Sequence, residues 1–251
     1  MRSLLTWEAS ASFVIQNCLN TPAVLEKLVY GYHNADIALN CGIILRDAAR
    51  DHEAIVKQLL SSPCFNLFFD LVELVNFDVC SDAFQTFKEL LTTHKEVAAK
   101  FLSDNYANFF SRYTVLLQSD NYVTRRLSLK LLSELLLERA NFGVMRMYIA
   151  EADHLKLIMV LLVDKSKSIQ YEAFHVFKVF VANPNKPAVI NNILFKNKEK
   201  LTVFLTDHFH SQKEDEQFLE EKELCLQNIA AAQPISSATV KATARPAVSE
   251  T

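Results

Sequence analysis

The chain has 251 residues, half of them hydrophobic, and a net charge of −3 at neutral pH. Its three glycines, Gly31, Gly42 and Gly143, stand far apart. Phosphate-binding loops, dinucleotide-binding folds and most all-β folds use several glycines close together, so these classes are excluded. The chain also lacks the overall positive charge with which general nucleic-acid binders attract phosphates.

The cysteines are five in number, lie about 16 or more residues apart and form no CxxC pair, which favours reduced, mostly buried thiols. We find no signal-peptide pattern, and no apolar run approaches the ~20 residues that span a bilayer. These features predict a cytoplasmic protein without membrane segments. The cysteines are Cys18, Cys41, Cys64, Cys80 and Cys225.

The first predicted element is a partial helical repeat at residues 12–32. Its apolar residues need a neighbour, and no polar capping segment precedes it. We therefore expect that preceding repeats are missing from this chain. We also expect the chain to self-associate through this face.

Four segments further along the chain share one apolar pattern. They begin at Ile37, Val79, Val123 and Ile169, with separations of 42, 44 and 46 residues (79−37, 123−79, 169−123). In each, small or apolar residues follow at four and eight positions, which is typical of a helix with one buried face. These pairs are Cys41/Leu45, Ala83/Phe87, Leu127/Leu131 and Ala173/Phe177.

Each repeat also contains a second and a third apolar stretch, so the pattern predicts an all-α, armadillo- or HEAT-like helical-repeat solenoid, a superhelical rod, over residues 1–229. An acidic helix at residues 212–224 is expected to cap it. Fifteen of the 22 residues from 230 to 251 are Ala, Ser, Thr or Pro, which predicts a disordered tail. The paired stretches are 54–60 and 64–75, 97–102 and 106–117, 142–149 and 154–163, and 189–194 and 200–209.

No set of residues predicts an active site or a metal site. His208 and His210 point about 200° apart on a helix and cannot bind one ion, even with Asp207 beside them. His175 lies among apolar residues and is interpreted as structural. The acidic residues 214–223 are interpreted as a solvated helix face. We therefore expect no enzyme, no cofactor and no metal.

Surface recognition is the usual role of such solenoids. In armadillo folds the first helix of this pattern lines the concave groove, and its exposed positions lie three and seven residues after each repeat begins. One repeat presents a cation pair, Arg126 and Lys130, preceded by Tyr122 and Arg125. Arg and Tyr dominate the energies of protein interfaces. The four pairs of groove positions are Asn40/Ile44, Asp82/Thr86, Arg126/Lys130 and Glu172/Val176.

From residue 30 to about residue 228 the sequence resembles the Mo-twenty-five scaffold family, also called calcium-binding protein thirty-nine. The longest and most specific matching run is 170–186, which reads QYEAFHVFKVFVANPNK. No counterpart is recognised for the first residues or the alanine-rich tail, and no calcium loop is found. The other matching runs are 36–43, 45–46, 81–88, 121–126, 128–132, 164–166 and 214–218.

The resemblance implies a non-catalytic armadillo-like scaffold that binds and activates a protein kinase or pseudokinase, of the germinal-centre-kinase type among others, in signal transduction. By position, four residues match the family's kinase-contacting face, and Met159 and Lys196 match a C-terminal pocket for a Trp-Glu-Phe-type peptide. Family members carry further repeats before the matched region. The four kinase-face residues are Phe77, Tyr122, Arg126 and Lys130.

Two other functions are weighed against this one. A nucleic-acid-binding α-solenoid would use a local basic stripe, but the net negative charge and the lack of interleaved aromatic residues oppose it. A helical-repeat enzyme lacks any recognisable nucleophile, base and orienting group. The stripe comprises Arg125, Arg126, Lys130, Lys165, Lys167, Lys196, Lys198 and Lys200.

Overall fold

The computed structural model of the chain describes residues 21–209 and 216–234. These residues fold into helices and tight turns without any strand, which confirms the predicted all-α class. Residues 12–20 of the predicted partial repeat, the first four residues of the predicted capping helix and the tail from residue 235 lie outside the described residues. The described helices are not suited to span a membrane, since none is both long enough and apolar enough.

The chain divides into two compact units, Met1–Val144 and Met145–Thr251. The described part of the first unit contains α1 (Pro22–Tyr30), α2 (Ala38–Asp51), α3 (Glu53–Ser61), α4 (Phe68–Leu71), α5 (Phe77–Thr92), α6 (Lys95–Asp104), α7 (Tyr106–Leu117) and α8 (Tyr122–Leu137). Helix α9 (Phe142–Tyr148) crosses the boundary. The described part of the second contains α10 (Ala152–Leu162), α11 (Lys167–Ala182), α12 (Ala188–Lys196), α13 (Lys198–Val203) and α14 (Glu216–Ala230).

A long helix lies at the start predicted for each of the four repeats: α2, α5, α8 and α11. The second and third stretches are also helical. In the first repeat, however, the third stretch is a 3-10 turn, Pro63–Leu67, followed by the short α4, which ends at Leu71 rather than at the predicted residue 75. The acidic closing helix is α14, which runs to Ala230.

Aromatic rings fill the core of each unit. In the first unit Phe87 is fully buried, and its ring centroid lies 5.3–6.4 Å from those of six other aromatic residues. In the second unit Phe174, Phe209 and Phe218 contact one another at 5.1–5.6 Å. Such pairs add about 0.5–1.5 kcal/mol each beyond the burial of their area, so they hold neighbouring helices together.

Helix α8 departs from the predicted pattern. Leu127 is half-buried, and the fully buried positions are instead Thr124 and Ser128. The Thr124 hydroxyl is satisfied there, because Oγ1 donates to the Val72 carbonyl at 2.7 Å. Ser128 is bound only through its backbone, whose carbonyl accepts from Tyr113 Oη at 2.8 Å. The prediction of Leu127 as a core residue was wrong, because the core positions are taken by Thr124, whose hydroxyl has a buried partner, and by the small side chain of Ser128.

The first helices of the last three repeats are capped in the same way. Asn76 Oδ1 accepts from the amides of residues 78 and 79 at 3.1 and 3.2 Å, and Asn121 Oδ1 accepts from those of residues 123 and 124 at 3.0 and 3.4 Å. Ser166 Oγ accepts from the amide of Ile169 at 3.5 Å. The capping residues stand 45 residues apart in the chain (121−76, 166−121). They fix where α5 and α8 begin, and so they also fix the positions of Phe77 and Tyr122, the first residues of these two helices.

Candidate protein-binding site

The predicted groove positions are exposed on only two of the four first helices. Asn40 and Ile44 on α2 are exposed, as are Arg126 and Lys130 on α8. The prediction was wrong for α5 and α11, because their pairs are inaccessible or nearly so. Thr86, Glu172 and Val176 are buried, and the Asp82 side chain is 12% exposed.

Asp82 and Thr86 are covered because they bind a buried arginine of the neighbouring repeat. Arg46 Nη1 lies 2.5 Å from Asp82 Oδ2 and donates to Thr86 Oγ1 at 2.7 Å, and Nη2 donates to Asp82 Oδ1 at 2.8 Å. Tyr32 Oη donates to Asp82 at 2.9 Å. The hydrogen bonds to Asp82 raise the pKa of Arg46, and burial raises the pKa of Tyr32. This cluster joins α2 to α5 and leaves neither residue free for a partner.

Phe77 and Tyr122 begin two helices that contact each other, α5 and α8. Phe77 is 64% exposed and Tyr122 is 41% exposed. Two accessible aromatic side chains therefore stand at the starts of two contacting helices, on one edge of the first unit.

Arg126 and Lys130 extend this edge along α8. They lie four and eight residues after Tyr122, so all three side chains share one face of the helix. Both cations are exposed. One turn further, Glu134 pairs with Lys88 of α5 at 2.7 Å. The four residues matched by resemblance thus lie on two contacting helices, with aromatic side chains at one end and positive charge beyond them.

Met159 and Lys196 lie on two other contacting helices, α10 and α12 of the second unit. Met159 is half-buried, and Lys196 is exposed at the last residue of α12. The methionine is therefore accessible in part, unlike its neighbours Leu155, Ile158 and Leu162, which are fully buried.

The proposed basic stripe is divided between the two units. Six of its eight residues are exposed, and Arg125 and Lys198 are half-buried. Arg125 Nη1 donates to the Ser119 carbonyl at 2.6 Å, and Lys198 Nζ donates to the Ala230 carbonyl. Two of the eight cations are thus engaged by the backbone, which weakens the argument for a phosphate-binding surface.

The histidines singled out in the sequence do not form a reactive group in the described residues. His175 is half-buried, with its Nδ1 3.9 Å from Glu221 Oε2 and its ring edge-on to Tyr171 at 4.5 Å. The side chain of His208 and the whole of His210 lie outside what the structure describes. In residues 21–209 and 216–234, no three His, Cys, Asp or Glu side chains come together as a metal site would require.

Four of the five cysteines are buried free thiols, as predicted, and Cys18 lies outside the described residues. Burial raises the pKa of Cys225 to about 12 and also raises those of Cys64 and Cys80. A thiol with a raised pKa carries little thiolate at neutral pH, so these three cysteines are poor nucleophiles.

The model of a family described as Mo25-like matches residues 1–233. The match starts at the first residue, so the expectation that the first residues have no counterpart was wrong.

Three curated relatives illustrate the similarity. The chain is 53% identical to the degreening-related dee76 protein of Auxenochlorella protothecoides over 209 residues, which are 83% of this chain and 64% of that protein. It is 52% identical to the human calcium-binding protein 39-like over 208 residues, 83% and 61% of the two chains. It is 48% identical to a Mo25-like protein of Schizosaccharomyces pombe over 221 residues, 88% and 67%. The chain thus matches less than two thirds of the first two relatives.

Two solved structures of engineered proteins resemble the fold. They superpose with a TM-score of 0.54 each at 16% and 20% identity, and cover 89% and 87% of this chain and 85% of each engineered chain. Identity this low shows the fold alone, and it agrees with an all-α helical-repeat solenoid.

Proposed function

Since the chain belongs to the Mo25-like family, we propose that it is a non-catalytic cytoplasmic scaffold that binds and allosterically activates a protein kinase or pseudokinase. The observation that carries this proposal is the exposed surface formed by Phe77, Tyr122, Arg126 and Lys130, here called the kinase-binding surface. It combines accessible aromatic rings with an adjacent cation pair, which is the composition of an interface hot spot.

Activation requires no chemistry from the scaffold. A kinase domain exchanges between inactive and active conformations, and a partner shifts that equilibrium only by its difference in affinity for the two. Helices α5 and α8 are capped by Asn76 and Asn121 and packed on the Phe87 core, so the side chains they present stand on rigid elements. A rigid surface that fits the active conformation better would stabilise that conformation.

Met159 and Lys196 supply a second contact, for a peptide of the Trp-Glu-Phe type at the partner's C-terminus. A half-buried methionine suits an aromatic guest, because the thioether packs well against ring edges. The exposed lysine on the contacting helix would attract the glutamate or the terminal carboxylate. We propose that the two contacts act together on one kinase of the germinal-centre type, the second raising the effective concentration of the first.

The proposal is tested with the purified chain and a purified germinal-centre-type kinase domain that keeps its own C-terminus. Isothermal titration measures affinity, and transfer of phosphate to a peptide substrate measures activity. We expect saturable binding and a rise in kinase rate. We expect Arg126→Ala to reduce the free energy of binding by about 1–3 kcal/mol, as for a truncated hot-spot residue.

Arg139→Ala provides the matched control, because Arg139 is also an exposed arginine of the first unit but lies outside the kinase-binding surface. It should bind as the wild type does. Binding without activation would refute the allosteric role and leave the chain as a passive adaptor. Equal kinase affinities of the wild type and Arg126→Ala would show that the kinase does not bind at the kinase-binding surface.

A further inference from the structure

Helix α2 leaves large apolar side chains open to solvent at its start and over its first two turns. Ile37, which directly precedes the helix, is 45% exposed, and Leu39, Ile43 and Ile44 are 43%, 49% and 52% exposed. These four residues lie to either side of the exposed Asn40 and form one apolar area, here called the α2 face. The sequence from residue 37 to residue 45 contains no charged residue, so the α2 face is uncharged.

The next repeat shows what this side of a first helix contacts. On α5, the residues three and seven positions after the repeat begins are Asp82 and Thr86, and Arg46 of α2 covers both. The equivalent residues of α11 are also buried, and those of α8 are the exposed cation pair, which water solvates. On α2 the equivalent residues are Asn40 and Ile44, and both are exposed. The side by which α5 packs on a preceding helix is therefore left uncovered on α2 by the residues that the structure describes.

Residues 1–20 supply a segment with a complementary pattern. Apolar residues recur there at alternating intervals of three and four, which would place them in one stripe along a helix. The segment contains no glycine or proline, and its only charged side chains, Arg2 and Glu8, lie outside the stripe. An uncharged apolar stripe suits the uncharged α2 face, because neither surface carries a charge that would lose its hydration. The residues of the stripe are Leu4, Trp7, Ala11, Val14 and Cys18.

The segment joins the described chain close to the α2 face. It leads into Thr21 and α1, which contacts α2. Gly31, directly after α1, lies against α2, since a Cβ built on it would be 2.5 Å from Cys41 Sγ. Ten residues of helix rise about 15 Å, so Thr21 stands roughly that far from this contact, whereas 20 residues of helix reach about 30 Å. The segment is therefore long enough to turn back along α2.

The same connection favours this segment over a second copy of the chain. A short tether gives an effective concentration in the millimolar range, which is far above that of a second chain in a micromolar solution. We propose that residues 4–18 dock as an amphipathic helix on the α2 face and cover it within the same chain. The segment then packs on α2 as α2 packs on α5. The inference stands whether or not the chain activates a kinase.

Trp7 provides the test, because it is the only tryptophan of the chain and lies on the stripe. In the intact chain we expect a blue-shifted emission maximum, and acrylamide quenching several-fold weaker than in a synthetic peptide of residues 1–20. Ile43→Asp and Leu39→Asp each place a charge on the α2 face and should return both readings most of the way to those of the peptide. Leu4→Asp should do the same from the side of the stripe.

Two control variants and a dilution series separate this docking from other causes. Val115→Asp changes an exposed valine of α7, and Thr6→Asp changes the polar side of the segment, so both should behave as the wild type does. Circular dichroism verifies that each variant folds. The proposal is overturned if Trp7 of the wild type is as accessible as in the peptide, or if the folded α2-face variants leave its emission unchanged. Protection of Trp7 that appears only as the chain dimerises, followed by sedimentation velocity, would also overturn it and assign the α2 face to a second copy.

Discussion

Gly42 has a role that depends on the absence of a side chain. It stands on α2 where the buried cluster of Tyr32, Arg46, Asp82 and Thr86 crosses to α5, and a Cβ built on it would meet Asp82, Tyr32 and Arg46 at under 3.0 Å. Those atoms are held by hydrogen bonds and cannot move without breaking them. The close approach of α2 to α5 therefore requires glycine at this position.

We accordingly expect Gly42→Ala to lower the free energy of unfolding by about 1–3 kcal/mol, the usual cost of overpacking, despite alanine's better helix propensity. Chemical denaturation followed by circular dichroism measures it. Gly143→Ala is the matched control, because Gly143 lies in α9 with nothing within 4 Å of its Cβ position. The stability of that variant should be unchanged or about 0.5–1 kcal/mol higher. Equal effects of Gly42→Ala and Gly143→Ala on stability would contradict the requirement for glycine at position 42.

Tyr32 gives the fold a defined response to alkaline pH. Its ordinary pKa is 10.0, and burial raises that value in the folded chain. Above pH 10 the unfolded chain releases a proton that the folded chain keeps, so the unfolded state binds fewer protons and stability falls as pH rises. Below pH 10 both states hold the proton and the contribution of Tyr32 is fully present.

The Tyr32→Phe variant isolates this effect. At pH 8 we expect it to be less stable than the wild type by about 1–2 kcal/mol, because the hydrogen bonds to Asp82 and Thr86 are lost. Urea unfolding at pH 8, 10 and 11 should show this difference shrinking above pH 10, since only the wild type then loses the contribution of Tyr32. Cys225 and Tyr148 also ionise at high pH, but they do so in both proteins, so their contributions to the stability difference cancel. A difference between wild type and Tyr32→Phe that stays constant from pH 8 to 11 would refute the assignment of the effect to Tyr32.

At the scale of elements, the cap of α8 links stability to the kinase-binding surface. Asn121 Oδ1 accepts two amide hydrogen bonds from the first turn, the same turn that carries Tyr122. Asn121→Ala should lower the free energy of unfolding by about 1 kcal/mol and weaken kinase binding several-fold, because the first turn frays. Asn121→Asp keeps the acceptor and should restore both, as measured by denaturation and titration; a loss equal to that of alanine would count against the cap.

Helices α10 and α12 carry the second predicted contact. A labelled peptide ending in Trp-Glu-Phe should bind with an affinity that Met159→Ala lowers at every salt concentration, through lost packing. Lys196→Ala should lower it most at low salt, because its contribution is ionic. Fluorescence anisotropy at 50 and 500 mM salt separates the two, with Lys100→Ala as the control for an exposed lysine in the other unit. Equal peptide affinity of the wild type and all three variants would show that Met159 and Lys196 do not bind the peptide.

At the scale of the whole molecule, net charge separates the scaffold from a nucleic-acid binder. With a net charge of −3, the chain lacks the field that gathers phosphates, and its basic residues are divided between two units. We expect no binding of a labelled 20-nucleotide single-stranded RNA at 50 mM salt, measured by anisotropy. Saturable RNA binding that weakens steeply with salt would instead favour the basic stripe as a functional surface.

Much of the architecture can be predicted from the sequence. The four first helices follow from the spacing of 42, 44 and 46 residues, because apolar residues four apart must share a buried face of a helix. Tyr113, Leu116 and Leu117 are buried on α7, which begins and ends where the apolar pattern does. The spacing also predicted that Arg126 and Lys130 of α8 are exposed, which is confirmed, but the same rule failed on α5 and α11.

Local periodicity could not reveal interactions between residues far apart in the chain. Arg46 and Asp82 are 36 residues apart, and only packing of α2 on α5 shows that they form a buried pair and withdraw Asp82 and Thr86 from the surface. The caps Asn76 and Asn121 could have been found, since both precede an aromatic residue at the same spacing of 45.

The sequence by itself determined the helical class and the positions of the four long first helices, because each depends on contacts within a few turns of one helix. Tertiary structure alone decided that Thr124 and Ser128 rather than Leu127 lie in the core of α8, and that Arg46 of α2 covers Asp82 and Thr86 of α5. The physical reason is that burial of a particular side chain is set by the partners that reach it. Those partners, such as the Val72 carbonyl for the Thr124 hydroxyl, come from segments that the chain brings together only when it folds.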